Sequence, residues 1–314
     1  MIHIALTITP SYARFCAVTM ASALKNNPRG SLWFHIVCND LPADDQAKLR
    51  HLAQAYEAQV SFYSVSPDML EGYTLRWEGK RLSMVVFYRC LLASLLPQEV
   101  RRVIYMDCDV LVLDSLVPLW QTSLDDCALA AVPDEPEPQA KHPQRLGYDP
   151  SLDYFNGGVL LLNLDYWRIH HLEQACRDYY QQHPDTILYN DQDLLNGLCH
   201  DHRVLLPLRW NAQSNLYRRK HYARYQADEA YKQAMLDPAI LHYSSRKPWH
   251  IYSTHPLGDL FYHYQALTPW SHCQPSHSLW TRLKQAWHHL PYTLGLKKEK
   301  YLTLKEWRRL KYDL

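Results

Sequence analysis

The sequence predicts an α/β fold: a mixed, mainly parallel Rossmann-like sheet flanked by helices and followed by a helical, basic C-terminal tail. Two observations support this prediction. Strand-like and helix-like stretches alternate through the first 65 residues, as they do in parallel sheets. Further on, segment 103–113 (VIYMDCDVLVL) is apolar on both sides of a short acidic interruption, which is typical of a strand buried on both faces.

The early elements are bounded by turn-forming residues. The predicted order is strand 2–8, helix 12–25, strand 32–38, helix 42–56 and strand 60–65. Segment 26–30 (NNPRG) ends the first helix and Pro42 begins the second. A half-domain of this pattern commonly holds a nucleotide at the carboxyl ends of its strands.

The later elements are less regular. Apolar runs predict helices over 83–96 and 164–181, a helix beginning at Asp191, and strands over 103–106, 110–113, 127–132, 154–163, 204–206 and 239–243. Residues 133–150 contain five prolines and predict a loop or lid. Residues 211–236 are rich in Tyr and Arg and predict helical pieces without a readable functional pattern.

The acidic interruption is the strongest chemical signal. Asp107 and Asp109 stand two residues apart at the end of a strand, so their side chains can converge on one cation just past its tip. Oxygen ligands suit Mn²⁺ or Mg²⁺. The alternative is a solvated turn between two strands. Asp191 and Asp193 form a second such pair, but acids at a helix start also serve simply as dipole-favoured caps.

Other polar residues accompany apolar runs. Arg89 lies within an apolar helix, where it must either extend to solvent or pair with an acid. Asn156 and the following glycine pair interrupt a strand, which marks a bulge or close approach of a ligand. His242 ends the last strand; as one of 18 histidines it could be purely structural. Arg246 and Lys247 follow it and fit phosphate contacts.

Bulk composition excludes some classes. Hydrophobic residues make up 47% and charged residues 21% of the 314 residues, as in ordinary globular proteins. The net charge of +1 implies no general attraction to nucleic acid. No Gly-rich phosphate loop occurs. The eight scattered cysteines, the strand-like start without a signal peptide and the lack of a long apolar run predict a reduced, cytoplasmic protein.

The chain from residue 279 differs in character. It carries nine Lys or Arg against three acids, interleaved with Trp and Tyr. Such a composition suits the surface of an anionic membrane, although a solvated helical tail is the plain alternative. The sequence therefore predicts a catalytic domain over 1–268 and a membrane-associating tail over 269–314, which would keep the protein peripheral at the inner face of the membrane.

Four segments in order resemble glycosyltransferase family 8, a retaining family that includes glycogenin and bacterial lipooligosaccharide galactosyl- and glucosyltransferases. They are YMDCDVLVLDSL, YFNGGVLLLNL, YNDQDLLNG and LHYSSRKPWH, and the resemblance covers roughly residues 2–260. It implies a GT-A type fold and transfer of galactose or glucose from a UDP-sugar to an oligosaccharide on a lipid carrier, such as lipooligosaccharide or lipopolysaccharide core. The basic aromatic tail also resembles the membrane-associating tail of the lipooligosaccharide enzymes.

The resemblance also implies roles for single residues. Mn²⁺, or Mg²⁺ in its place, would be held by Asp107, Asp109 and His242. Donor contacts would come from Thr9, Tyr12, Arg89, Asp107, Asn156, Gly157, Asp191, Gln192, Arg246 and Lys247. Asp191 and Gln192 would be the catalytic pair, and Tyr189 would lie towards the acceptor. Since Gln192 falls beneath the anomeric carbon and an amide is a poor nucleophile, attack from the front face is favoured over a double displacement.

Two departures from the family pattern affect the donor site. No acid follows the first strand, where the family usually reads uracil; the stretch is TITPSY, so Tyr12 could stack on a base whose identity is open. The segment HYSSRKPW is one residue shorter than the family's and lacks its glycine, and Arg246 could supply a second cation there. A catalytically silent nucleotide-sugar or glycan-binding relative is the alternative function, and a nucleotidyl- or phosphotransferase is a third.

Overall fold

The computed structural model describes residues 1–75, 83–134, 141–250, 252–273, 278–294 and 296–312. Its strands are β1 (Ile2–Thr7), β2 (Leu32–Val37), β3 (Gln59–Tyr63), β4 (Arg102–Met106), β5 (Val110–Val112), β6 (Leu129–Pro133), β7 (Phe155–Asn163), β8 (Arg203–Leu205), β9 (Ala212–Gln213) and β10 (Ile240–His242).

Helices surround these strands. The α-helices are α1 (Ala13–Lys25), α2 (Ala43–Gln54), α3 (Leu92–Leu95), α4 (Val117–Trp120), α5 (Lys141–Leu146), α6 (Leu164–Ile169), α7 (Leu172–Gln182), α8 (Asn190–Cys199), α9 (Arg219–Tyr225), α10 (Glu229–Leu236), α11 (Gly258–Gln265), α12 (Leu279–Thr293) and α13 (Leu304–Tyr312). The 3₁₀ helices are Pro10–Tyr12, Pro67–Leu70, Met84–Leu91, Leu208–Asn211 and Ser214–Tyr217.

The main sheet has the strand order β3-β2-β1-β4-β7-β6-β8. Strands β1 to β4 are parallel, β7 is antiparallel to both β4 and β6, and β6 is parallel to β8. The predicted mixed, mainly parallel sheet flanked by helices is therefore confirmed. A small sheet, β5-β10-β9, lies beside it, and in it His242 of β10 pairs with Val110 of β5.

Alternating side chains of the strands divide the core between the two faces of the sheet. Ile104 and Met106 of β4 belong to one buried cluster with α1 and α2, whereas Val103 and Tyr105 belong to a second cluster with α7 and α8. Burial on both faces explains the continuous apolar run of this strand. Because strand order changes direction between β1 and β4, the carboxyl ends of these two strands form a crevice.

Three predicted elements differ in the structure. Residues 84–91 form a 3₁₀ helix rather than an α-helix, and its three-residue turn places Val86 and Arg89 on the same side. The predicted helix over 164–181 is broken between α6 and α7, where His171 adopts a left-handed conformation (φ 52°). The proposed loop over 133–150 contains α5, with Pro143 in its first turn; part of it, 135–140, lies outside the described residues.

The C-terminal tail divides into two parts. Helix α13 packs on the domain: Trp307 is buried, donates from its indole Nε1 to the Met235 carbonyl (2.9 Å), and lies beside an ion pair between Arg219 and Glu306. In α12, by contrast, apolar side chains on one face remain exposed. These are Trp280, Leu283, Trp287 and Leu290. No helix among the described residues is long and apolar enough to cross a membrane.

We expect Trp307→Ala to lower the free energy of unfolding by about 3–5 kcal/mol, because it removes a buried aromatic side chain and leaves a cavity. Trp287→Ala is the matched control, since the Trp287 side chain is 78% exposed. Denaturant unfolding of both variants measures the difference. Equal stability of the two would show that α13 does not contribute to the core.

Candidate active site

Three predicted ligands meet at one point beyond the sheet edge. Asp107 follows β4, Asp109 precedes β5 and His242 ends β10. One ligand atom from each lies within 4.8 Å of the others. The antiparallel pairing of β5 with β10 brings them together, because it sets His242 opposite Val110, the neighbour of Asp109. Two carboxylates and an imidazole form a donor set that suits a hard or borderline divalent cation.

The charge on Asp109 is balanced in the absence of a metal. Its carboxylate forms an ion pair with Lys247 Nζ, and its Oδ1 lies 3.3 Å from His242 Nε2. Burial alone would raise the pKa of Asp109, but the Lys247 ammonium outweighs it and holds that pKa well below its usual range. Oδ1 is buried, and no described residue donates a hydrogen bond to it. A buried carboxylate oxygen in this state can accept a cation.

Arg89 connects the first acidic pair with the second. Its guanidinium donates to Asp107 Oδ1 (2.9 Å) and to the Gly157 carbonyl (2.5 Å), and it stacks over the Tyr105 ring at 4.3 Å. Its Nε lies 2.9 Å from Asp191 Oδ2, close enough for an ion pair although not aligned for a hydrogen bond. Arg89 thus pairs with acids rather than extending to solvent.

The pKa of Asp191 is shifted in the opposite direction from that of Asp109. Burial raises the pKa of Asp191 to about 6, with the Asp107 charge adding to the rise and the Arg89 charge opposing it. Its helix, α8, begins at Asn190 in a left-handed conformation (φ 44°), which asparagine tolerates better than most residues. This sharp start turns Asp191 and Gln192 towards the cluster.

The glycine pair, where the sequence predicts a bulge or close approach of a ligand, lets protein side chains lie close to strand β7. A Cβ at Gly158 would collide with the His242 ring and come within 3.0 Å of Asp107 Oδ2. A Cβ at Gly157 would lie 3.2 Å from an Arg89 nitrogen. Beside them, Gln192 Oε1 accepts from the Gly157 N–H (2.9 Å), and Asn156 donates to Asp134 (3.2 Å).

Two adjoining cavities open at the acidic cluster. The larger, of about 790 Å³, reaches along β1 and is lined by Thr9 and Tyr12 as well as by Asp107 and Asp109. The smaller, of about 260 Å³, is lined by Asn156, Tyr189, Asp191 and Gln192 together with Arg89 and Asp107. Of the predicted donor contacts, Thr9 and Tyr12 therefore line one cavity and Asn156, Asp191 and Gln192 line the other, and the two cavities meet at Arg89 and Asp107.

The second acid of the later pair has a structural role. Asp193 is fully buried and accepts two hydrogen bonds from Arg145 (both 2.8 Å), one from Tyr154 (2.7 Å) and one from the Tyr189 backbone (2.7 Å). These bonds dock α5 on the start of α8. They also hold Tyr189, which is half-exposed at the smaller cavity.

The two predicted phosphate-binding cations are placed differently. Lys247 contacts Asp109 and the Tyr243 carbonyl (2.6 Å) at the cluster. Arg246 is exposed, and its guanidinium donates to the Tyr252 carbonyl (3.2 Å). Trp249 anchors this segment by stacking on Phe15 of α1 at 4.1 Å.

Sequence reasoning missed two residues at the site. Asn211, at the end of a 3₁₀ helix, places its Oδ1 2.9 Å from His242 Nδ1. Asp134, just after β6, accepts from Gln192 Nε2 (3.1 Å) and from Asn156. Both are single polar residues in segments without a repeated pattern, so only the three-dimensional arrangement identifies them.

The fold and this site together define a GT-A type glycosyltransferase. The family model "Glycosyl transferase family 8" matches residues 3–252, and the chain belongs to this family. With the galactosyl- and glucosyltransferases among its relatives, the protein is a hexosyltransferase.

Relatives of known name support the assignment. The chain is 26% identical over 277 residues to General stress protein A of Bacillus subtilis, covering 86% of this chain and 95% of that protein. It is also 26% identical over 308 residues to the lipopolysaccharide 1,3-galactosyltransferase of Salmonella typhimurium, covering 94% and 88%. The crystal structure of the galactosyltransferase LgtC with donor and acceptor sugar analogues is similar, with a TM-score of 0.75, 28% identity, and coverage of 85% of this chain and 96% of LgtC.

We expect Gly158→Ala to weaken binding of a divalent cation by about tenfold or more, because the added methyl group displaces His242 and overpacking costs about 1–3 kcal/mol. Calorimetric titration with Mn²⁺ measures the effect. The control is Gly258→Ala, whose added Cβ would have no heavy atom of the described part of the chain within 4 Å. Unchanged Mn²⁺ affinity in Gly158→Ala would mean that close packing of this strand against His242 is not needed for binding.

Proposed function

We propose that this protein is a metal-dependent, retaining transferase that moves galactose or glucose from a UDP-sugar to an oligosaccharide on a lipid carrier, in lipooligosaccharide or lipopolysaccharide core synthesis. The observation that carries the proposal is the cluster of Asp107, Asp109 and His242 between two cavities, with Lys247 beside it. The base, diphosphate and sugar of a nucleoside diphosphate sugar follow one another in the same order as the larger cavity, the cluster and the smaller cavity.

The metal in this proposal is Mn²⁺, with Mg²⁺ as the alternative. The Oδ1 of Asp109, which accepts no hydrogen bond from the described residues, lies 3.3 Å from the Nε2 of His242, close enough for both atoms to bind one ion. When bound, such an ion acts as a Lewis acid that stabilises the negative charge on the leaving diphosphate. Lys247 and Arg246 would contribute further positive charge to the same phosphates.

The remaining donor contacts divide between the cavities. On the larger side, Tyr12 is half-exposed and would stack on the base, with the Thr9 hydroxyl close by. On the smaller side, Asn156, the Gly157 backbone, Asp191 and Gln192 would hold the sugar hydroxyls. Arg89 would hold Asp107 and Asp191 at the sugar and the diphosphate.

The proposed reaction occurs on one face of the sugar. The bond from the anomeric carbon to the phosphate oxygen breaks through an oxocarbenium-like state, and the acceptor hydroxyl forms the new bond from the same face. The departing phosphate oxygen takes the acceptor proton, so no enzyme nucleophile is required. Gln192 supports this scheme, because its amide is a poor nucleophile and its Oε1 and Nε2 are engaged with Gly157 and Asp134. Tyr189, at the rim of the smaller cavity, would orient the acceptor.

The proposed location is the cytoplasmic face of the membrane, with the exposed face of α12 as the contact. Trp280, Leu283 and Trp287 lie three and four residues apart and are all more than half exposed. Exposed Lys284 and the nearby Lys297 and Lys298 add positive charge. An apolar face with flanking cations suits the interface of an anionic bilayer.

We expect wild-type protein to bind one UDP-hexose in a Mn²⁺-dependent manner, and Asp109→Asn to abolish turnover and weaken donor binding, because it removes a ligand's charge. Calorimetric titrations of UDP-galactose, UDP-glucose and GDP-mannose with and without Mn²⁺, and UDP release with water as acceptor, test this.

Asp126→Asn is the control for the lost charge, since Asp126 is exposed and lines neither cavity of the site. Equal turnover of Asp109→Asn and wild type would contradict the metal assignment. Binding of GDP-mannose instead of a UDP-sugar would contradict the proposed base.

The triple variant Trp280→Ser, Leu283→Ser, Trp287→Ser should reduce co-sedimentation with anionic phospholipid vesicles while preserving UDP release in solution. Point substitutions are preferable to deletion of residues 279–314, because deletion would also remove buried Trp307. Ile169→Ser is the control, as this residue is 71% exposed and lies outside the tail. If the triple variant sediments like the control, α12 is not the membrane contact.

A further inference from the structure

A chain of hydrogen bonds links the candidate metal ligand His242 to the sugar-side residues. His242 Nδ1 lies 2.9 Å from Asn211 Oδ1, Asn211 Nδ2 lies 2.9 Å from Asn156 Oδ1, and the Gly158 N–H donates to the same Asn156 oxygen at 2.9 Å. All three side chains are buried, and Asn211 is only 1% exposed. The hydrogen bonds are therefore largely shielded from competition by bulk water.

The donor and the acceptor of each hydrogen bond in this series can be assigned by starting from the Gly158 N–H. A backbone N–H can only donate, so the atom of Asn156 facing Gly158 is its carbonyl oxygen. Asn211 must then present its NH₂ group to that oxygen, and its own carbonyl oxygen faces His242. An amide oxygen can only accept, so His242 carries a proton on Nδ1. In the neutral ring this leaves the lone pair of Nε2 directed at Asp109.

We infer that Asn211 is a positioning residue that selects the His242 tautomer able to bind a metal through Nε2. The inference rests on the proposed metal site and extends it. Metal-binding histidines commonly donate their second ring N–H to a fixed acceptor, which sets the ring orientation. Here the acceptor is an amide whose own orientation is set, through Asn156, by the backbone of the sugar-contacting strand β7.

The arrangement makes the metal end and the sugar end of the site one hydrogen-bonded unit. Asn156 also donates to Asp134 (3.2 Å) and to Gln192 Oε1 (3.3 Å), and Gln192 lines the smaller cavity. A change at Asn211 therefore affects both the orientation of His242 and the orientation of Asn156, and different substitutions can separate the two effects. Losing its carbonyl oxygen acts on His242, whereas losing its NH₂ group acts on Asn156.

We expect Asn211→Leu to weaken Mn²⁺ binding by about 10–100-fold, the usual effect of removing a residue that orients a metal ligand. Asn211→Asp keeps an acceptor for His242 Nδ1 and should bind Mn²⁺ within a few-fold of wild type. Its second oxygen faces the Asn156 oxygen, so its KM for the donor sugar should rise more than its kcat falls. Calorimetric titration of Mn²⁺ without donor gives the first readout, and steady-state kinetics give the second.

Asn27→Leu is the matched control for lost stability. Asn27 is also buried and makes two hydrogen bonds, to the Ala23 carbonyl and from the Leu116 N–H, just after the end of α1. Equal Mn²⁺ affinity of Asn211→Leu, Asn27→Leu and wild type would overturn the inference. If wild-type protein itself bound no Mn²⁺, the proposed metal site would fail, and the inference with it.

A measurement on wild-type protein avoids any problem of folding in the variants. The ¹⁵N chemical shifts of the two ring nitrogens report which one carries the proton in neutral histidine. The His242 signals are assigned by their loss in His242→Gln, and the spectrum is recorded without metal under alkaline conditions where imidazole is neutral. A proton on Nδ1 supports the inference, and a proton on Nε2 overturns it.

Discussion

The buried guanidinium of Arg89 determines how the active site is assembled. Taking a charge out of water costs several kcal/mol unless partners compensate it. Arg89 is compensated by Asp107, which follows the central strand β4, and by Asp191, which begins α8. Removing either acid would leave the buried positive charge only partly compensated. The two ion pairs therefore hold the end of β4 and the start of α8 at a fixed separation. The cavities on either side of Arg89 depend on that separation.

Backbone geometry explains why the remaining site residues arrive at the same place. The strand order brings the carboxyl ends of β1 and β4 together, so Thr9 and Tyr12 face the acidic pair across a crevice. The small sheet then supplies His242 through the pairing of β10 with β5, which directly follows Asp109. Parallel pairing of β10 with β9 places Gln213 opposite His242 and thereby sets Asn211 close to the ring. The positions of His242 and Asn211 thus follow from strand register.

The sequence predicted the parts of this arrangement that have a local signal. Strand and helix alternation identified the sheet, and the apolar runs around Asp107 and Asp109 located its central strand. The 3₁₀ conformation of residues 84–91 and the break at His171 were missed, because apolar periodicity over so few residues does not distinguish these from α-helix. Asn211 and Asp134 could not be predicted, since their roles depend on contacts with residues 31 and 58 positions away.

The tail shows the same limit, because composition alone did not separate its two parts. Both α12 and α13 carry aromatic and basic residues, yet one exposes its apolar face and the other buries Trp307. The difference lies in specific partners: Thr303 and Glu306 cap the start of α13 reciprocally, and Glu306 pairs with Arg219 of the domain.

Charge balance at the cluster gives a reason for metal and donor to bind together in the proposed reaction. Asp107, Asp109 and Asp191 bring three carboxylates, and Arg89 and Lys247 bring two cations. When all are ionised, these five groups carry one net negative charge, which attracts a divalent cation but repels a diphosphate. With the cation bound its sign reverses, and the diphosphate becomes the complementary ligand. In the proposed reaction, a site buried to this degree would therefore favour the donor only after the metal, or together with it.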